Sequence, residues 1–192
     1  MKAGVLALQG AFREHREVLD VLGVEAVEVR APEHLSGLDA LFLPGGESTT
    51  MSRLLDTSGI RAPLRDRIED GLAVFATCAG LILLAEKVLD GREDQEPLGV
   101  LPVTVRRNAY GRQRESFEAP LAIAGLSGGS FPGVFIRAPA IVEVGPGVDT
   151  LAIYGDDAAL VRAGPIWAAT FHPELSGDLR LHQWFLDEGG GT

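Results

Sequence analysis

Cysteine is almost missing: Cys78 is the only one in 192 residues. A lone thiol closes no internal disulfide, so the fold needs no oxidising compartment. Long apolar runs are missing too, none approaching the roughly 20 residues that span a bilayer. The opening MKAGVLALQ gives way to FREHRE too soon for a secretory signal. The expected location is the cytoplasm, with no membrane partner. Positive charge is scarce: 17 basic against 27 acidic residues leave a net charge of −10. Such a surface repels phosphate backbones, so nucleic acid is not an expected partner. Metal-ligand spacing is absent as well. One cysteine and four scattered histidines (His15, His34, His172, His182) suggest no zinc site, and no other cofactor is expected.

What is present is an ordinary globular balance, 46% hydrophobic and 23% charged. The length suits one domain over residues 1–188 around a single core, with the terminal GGGT of 189–192 read as a disordered tail. The first half alternates strand and helix signals. Strands are expected at Ala3–Leu8, Val24–Val29, Ala40–Leu43 and Leu72–Thr77. Helices are expected over 12–23, stopped by Gly23, then over Glu47–Leu55, Leu64–Asp70 and Ala79–Val88. The second half is richer in strand, at Leu101–Arg106, Val134–Arg137, Ile141–Val144, Leu151–Tyr154, Ala159–Arg162 and Ile166–Phe171, before a helix over Leu179–Asp187. Strands alternating with helices predict βαβ units and a largely parallel sheet, a three-layer α/β domain with an added antiparallel section. Sites in such folds collect at the carboxyl ends of strands.

Three strand ends carry candidate chemistry. Ala76-Thr77-Cys78-Ala79-Gly80 has small residues at −2 and +2 from the cysteine, the spacing of a nucleophile elbow. A helix starting there offers unpaired N–H groups and partial positive charge, which activate a thiol and can receive a developing oxyanion. On this stretch alone a buried filler thiol is the commoner reading. A nucleophile needs a base and the base an orienting group. His172-Pro173-Glu174 supplies both across one stiff proline. His15 and His182 fall inside expected helices and His34 in a loop, so none competes with His172. Pro44-Gly45-Gly46-Glu47-Ser48 is the third strand end, its two glycines permitting close backbone approach to a ligand. No Gly-Lys-Ser/Thr follows, so it is not a nucleotide P-loop.

PGGES, TCAGL and FHPE, in that order, resemble the class I (triad) glutamine amidotransferases. LALQGAFREH, PGGESTTM, RRNAYGRQRESFE and FIRAP narrow the resemblance to the glutaminase subunits of pyridoxal 5′-phosphate synthase. The resemblance implies a three-layer, flavodoxin-like domain with a mixed, mainly parallel sheet. It implies that Cys78 attacks the side-chain amide of L-glutamine and forms a thioester, that His172 shuttles the proton, and that Glu174 orients His172. Gly46 and the Ala79 N–H would build the oxyanion hole. Gly45, Gly46, Glu47, Arg107, Ile136 and Arg137 would bind glutamine, and Gln9 would lie near the oxyanion side and a partner contact. The partner implied is a (β/α)₈-barrel synthase subunit with a dodecameric core, receiving ammonia through a channel. The enzyme classes implied for the chain are hydrolase and lyase. Position 76 departs from the family's usual glycine; a methyl group is costly there if the backbone needs positive φ. Three other readings fit less well. RNAYGRQRESFE argues against a triad glutaminase serving a different synthase. An elbow-cysteine chaperone, redox sensor or deglycase would not need a distant His-Pro-Glu, and a non-catalytic α/β binding module would make three strand-end motifs a coincidence.

Overall fold

The computed structural model describes residues 1–91, 95–107, 109 and 116–189. The ten-stranded sheet begins with five parallel strands whose residues are nearly all apolar. These are β1 (Lys2–Leu6), β2 (Glu25–Val29), β3 (Ala40–Leu43), β4 (Ala73–Thr77) and β12 (Ile166–Ala169), in the order β2-β1-β3-β4-β12. Beyond β12 come β11 (Asp157–Ala163), β9 (Ala140–Val144) and β6 (Leu101–Arg106), each antiparallel to its neighbour. The edge strand β5 (Ala85–Val88) runs parallel to β6, and β10 (Asp149–Tyr154) pairs with β11. A separate two-stranded sheet joins β7 (Ser116–Leu121) to β8 (Phe131–Ile136).

Alternate side chains of the central strands feed two cores. Val74 and Ala76 of β4 join one face, covered by α2 (Ser48–Thr57), α3 (Arg61–Glu69) and α4 (Ala79–Leu84). Ala73 and Phe75 join the other, covered by α1 (Phe12–Val21), α5 (Arg180–Gly189) and the β7–β8 hairpin. This is the three-layer, mixed-sheet architecture expected from the strand–helix alternation.

Differences from expectation lie where local pattern and packing diverge. The helix expected over Ala79–Val88 stops at Leu84: Ala85 turns extended, at φ −55° and ψ 146°, and β5 follows. All six residues of α4 are buried, so no polar face marks where the helix ends. The strand β7 was not expected, because Pro120 interrupts its run. Pro120 faces Pro132 in a separate two-stranded sheet, where every strand is an edge strand and a missing N–H is tolerated. Of the GGGT tail, Gly189 ends α5 and residues 190–192 lie outside the described residues.

Parallel pairing in the order β3-β4-β12 brings three carboxyl ends side by side, with Leu43 opposite Ala76 and Thr77 opposite Ala169. The segments that follow are Pro44-Gly45-Gly46, Cys78, and Thr170-Phe171-His172. Sheet register therefore assembles the site from residues as distant in sequence as 45 and 172.

Candidate active site

Cys78 links β4 to α4 with φ 49° and ψ −102°. Among the described residues only Cys78 and Arg137 (φ 43°) are non-glycine residues at positive φ. Both line the same pocket, so backbone strain is concentrated there. The Cys78 N–H donates to Ala169 O at 2.9 Å, fixing the elbow to β12. Its sulfur lies 3.9 Å from Ile136 O. Gly80 packs its Cα against the end of β3, where an added Cβ would sit 2.9 Å from the Leu43 carbonyl carbon. Ala76 is not at positive φ. It lies in regular β4, paired with Leu43 and Ala168, and its methyl group is fully buried.

His172 follows β12 and opens a short 3₁₀ turn, Pro173–Leu175. Its backbone N–H donates to Val134 O at 2.8 Å, and its Nδ1 lies 2.7 Å from Glu174 Oε1. Burial alone would lower its pKa, but hydrogen bonds with Cys78 and Glu174 outweigh this and raise it from 6.5 to about 10. Burial pushes the Glu174 carboxyl up, yet His15 and His172 together hold it below its usual value. The arrangement is a thiol, an imidazole in contact with it, and a carboxylate on the imidazole's far nitrogen, which fixes that nitrogen as the donor.

The pocket in front of Cys78 has a volume of about 340 Å³. Gln9, Gly45, Gly46 and Glu47 line it. Arg107, Ile136 and Arg137 line it too, together with Ala79 and His172. Glu174 stands behind His172. Every candidate site residue from the sequence thus falls in this one region. Of the RNAYGRQRESFE motif, Arg107 lines the pocket, and residues 108 and 110–115 lie outside the described residues.

Several candidates have structural tasks that the motifs did not disclose. Glu47 caps α2, accepting from Thr50 N at 2.7 Å and Thr49 N at 3.3 Å. These bonds and Arg107 hold its carboxyl below the usual value against a burial cost. Gln9 Oε1 accepts from Glu47 N at 2.8 Å, and Ala11 N donates to Gly45 O at 2.9 Å, so the loop after β1 braces the loop after β3. Arg107 is oriented by Gln95 Oε1 at 2.9 Å and Glu47 Oε1 at 3.3 Å.

Two histidines set aside in the sequence prove to be at the site. His15 of α1 puts Nε2 3.6 Å from Glu174 Oε2 and 3.2 Å from Thr77 Oγ1. Its Nδ1 lies 3.1 Å from Nε2 of His182 on α5. Both rings are fully buried. The available signal was position: His15 shares a helix face with Val18 and Leu19, and His182 with Phe185 and Leu186. A histidine in the apolar stripe of an amphipathic helix faces inward.

The fold and the strand-end site define a class I glutamine amidotransferase architecture. The chain belongs to the SNO glutamine amidotransferase family, whose model matches residues 5–189. It is 56% identical over 188 residues, 97% of each chain, to pyridoxal 5′-phosphate synthase subunit PdxT of Thermus thermophilus. A crystal structure of a glutamine amidotransferase, 55% identical, superposes with a TM-score of 0.93 over 98% of this chain and 99% of that one. The structure of PurLQS from Thermotoga maritima shares the fold at 16% identity, with a TM-score of 0.70 over 97% of each chain. One expectation is corrected. The lyase label does not belong to this chain, because its family is one of glutamine amidotransferases. Splitting a side-chain amide adds water across a C–N bond, which is hydrolysis and not elimination.

Proposed function

We propose that this chain hydrolyses L-glutamine to L-glutamate and ammonia through a Cys78 thioester, and delivers the ammonia to a pyridoxal 5′-phosphate synthase subunit. The observation that carries this reading is the contact of the strained Cys78 with His172, whose Nδ1 is bound by Glu174 at 2.7 Å. A His172 whose proton affinity is raised can take the thiol proton as sulfur attacks the amide carbon. It then gives that proton to the departing ammonia and activates water to release glutamate. The Ala79 N–H and the Gly46 N–H are suited to receive the oxyanion. Arg107 and Arg137 offer guanidinium groups for the α-carboxylate, which a planar fork can bind through two oxygens. Glu47, Gly45 and the Ile136 backbone complete the glutamine site, and Gln9 sits at the rim where a partner would approach.

The partner reading is supported by the name of the Thermus thermophilus relative, a synthase subunit. On this reading one cytoplasmic domain, residues 1–188, docks on a (β/α)₈-barrel synthase with a dodecameric core and passes ammonia through a channel. The test is glutamate release with and without a candidate synthase, repeated for Cys78→Ala and His172→Asn. Each variant is expected to lose at least about a hundredfold in kcat. Near-normal turnover by either one sinks the assignment. A glutamine-derived electrophile should add one adduct, on Cys78, and glutamine should protect against it.

A further inference from the structure

Glu174 is held at one oxygen only. Oε1 bonds His172 Nδ1, while Oε2 accepts no hydrogen bond among the described residues, and its side chain is 0% exposed. A buried carboxylate oxygen left bare is costly. What faces it is Nε2 of His15, 3.6 Å away. The same nitrogen lies 3.2 Å from Oγ1 of Thr77, the residue before Cys78.

The proton positions follow from elimination. His15 Nδ1 and His182 Nε2 are 3.1 Å apart and share one proton. Were it on His15, the neutral ring would turn a bare Nε2 lone pair towards the Glu174 carboxylate. His182 would then carry its own proton on Nδ1, a buried atom with no partner among the described residues. Placing the proton on His182 Nε2 removes the lone-pair clash with Glu174, leaves His182 Nδ1 as a bare acceptor instead of an unpaired N–H, and gives His15 its Nε2–H. Burial lowers the pKa of both rings, so His15 acts as an N–H dipole and not as a cation. The charged or titratable groups around it are Glu174, His172, His182 and Glu14 of its own helix.

We propose that His15 is a positioning residue for the reaction: its Nε2–H faces the second oxygen of Glu174 and, through Thr77, ties that carboxylate to the strand that presents Cys78. This rests on the triad reading of Cys78, His172 and Glu174. Without the N–H, Glu174 loses the ring nitrogen that faces Oε2, its carboxylate is less favoured, and its support of His172 weakens. The ring itself touches no substrate.

The test compares His15→Asn with His15→Gln. Both are polar and smaller than the ring, but only the Gln amide nitrogen reaches the place of Nε2. In the chain alone, the rate of Cys78 alkylation by iodoacetamide at neutral pH is expected to fall about fivefold or more in His15→Asn. With the synthase present, kcat for glutamine should fall about tenfold or more while KM stays within about twofold. His15→Gln should recover most of both losses at a similar Tm. Equal losses in the two variants, or a loss confined to KM, overturn the proposal and leave His15 a core residue. His182→Leu, with its side chain among Phe42, Phe75 and Phe185, removes the donor that fixes the tautomer, and a smaller kcat loss is expected. An unchanged kcat there overturns the tautomer argument even if His15→Asn fails to fold. The His172→Asn control separates the two levels: if it alkylates as fast as wild type, the triad reading fails, whatever the His15 variants do.

Discussion

A methyl group added at Gly45 would lie 3.0 Å from His172 Nδ1 and 3.2 Å from Cys78 Cβ, and closer still to His172 Cε1. Gly45 is therefore where the loop after β3 passes against the two reacting side chains with no room between. Gly45→Ala is expected to push the imidazole away from the sulfur. Crowding of this kind costs about 1–3 kcal/mol. Because a small misplacement of a catalytic group is expensive, kcat should fall about a hundredfold or more. Steady-state kinetics beside a urea melt checks it. A Gly45→Ala enzyme with normal kcat would mean that His172 does not work from the position it occupies.

The elbow needs a small residue two places after Cys78 more than two places before it. Positive φ belongs to Cys78 itself, while Ala76 lies in regular strand with its methyl group packed in the core. Ala76→Gly, which restores the commoner family residue, is expected to lower stability by about 0.5–1 kcal/mol through backbone entropy and to leave kcat within about twofold. Gly80→Ala meets backbone at the end of β3, with Leu43 Cβ 3.0 Å from the added carbon. It should destabilise by about 1–3 kcal/mol and lower activity. Denaturation midpoints of the two variants, measured side by side, decide the order; the reverse order would refute this account of the elbow.

Strand and helix alternation, and the three motifs at strand ends, were legible because each is local: a buried apolar run, a helix start, a proline or glycine at a fixed offset. What brings residues 45, 78 and 172 together is the order β3-β4-β12, which no local pattern encodes. The same limit hid His15 and His182. Each reads as a helical residue, and only the packing of α1 and α5 on one sheet face puts His15 beside Glu174 and His182 behind His15. The end of α4 was illegible for another reason. AGLILLA is apolar on every side, so burial overrode the periodicity that separates helix from strand. The fine structure of the Glu47 loop also escaped the motif, since a capping carboxylate and a ligand-binding one look identical in sequence.

Arg107 is aimed, not merely present. Gln95 and Glu47 hold its guanidinium at 2.9 and 3.3 Å on the pocket wall. If it binds the α-carboxylate of glutamine, Arg107→Lys keeps the charge and loses the fork. KM for glutamine is expected to rise about tenfold with kcat changed by less than about threefold, the pattern of lost uniform binding. Gln95→Leu, which frees one side of the guanidinium, should move KM the same way by a smaller factor. A fall in kcat at constant KM would assign Arg107 to the reacting end of the substrate instead.

The buried histidines give folding stability two limbs of opposite sign. Burial, aided by His15, lowers the pKa of His182 from 6.5 to about 3, and burial lowers that of His15 too. Below about pH 6.5 the folded chain binds fewer protons on both than the unfolded chain does, and His182 stays neutral down to about 3. Stability therefore falls as pH drops from 6.5 towards 3, by about 1.4 kcal/mol per pH unit for each full proton. His172 runs the other way. Its folded pKa is raised to about 10, so its contribution is fully present below 6.5 and is lost as pH rises through that window. Glu174, with its pKa lowered, contributes above about 4.5 and loses this only in stronger acid. Urea unfolding between pH 5 and 9.5 is expected to give maximal stability near pH 6.5. His182→Leu should flatten the acid limb between 6.5 and 5, and His172→Asn the alkaline limb. Acid and alkaline limbs that both persist unchanged in these variants would show that other groups carry the pH dependence.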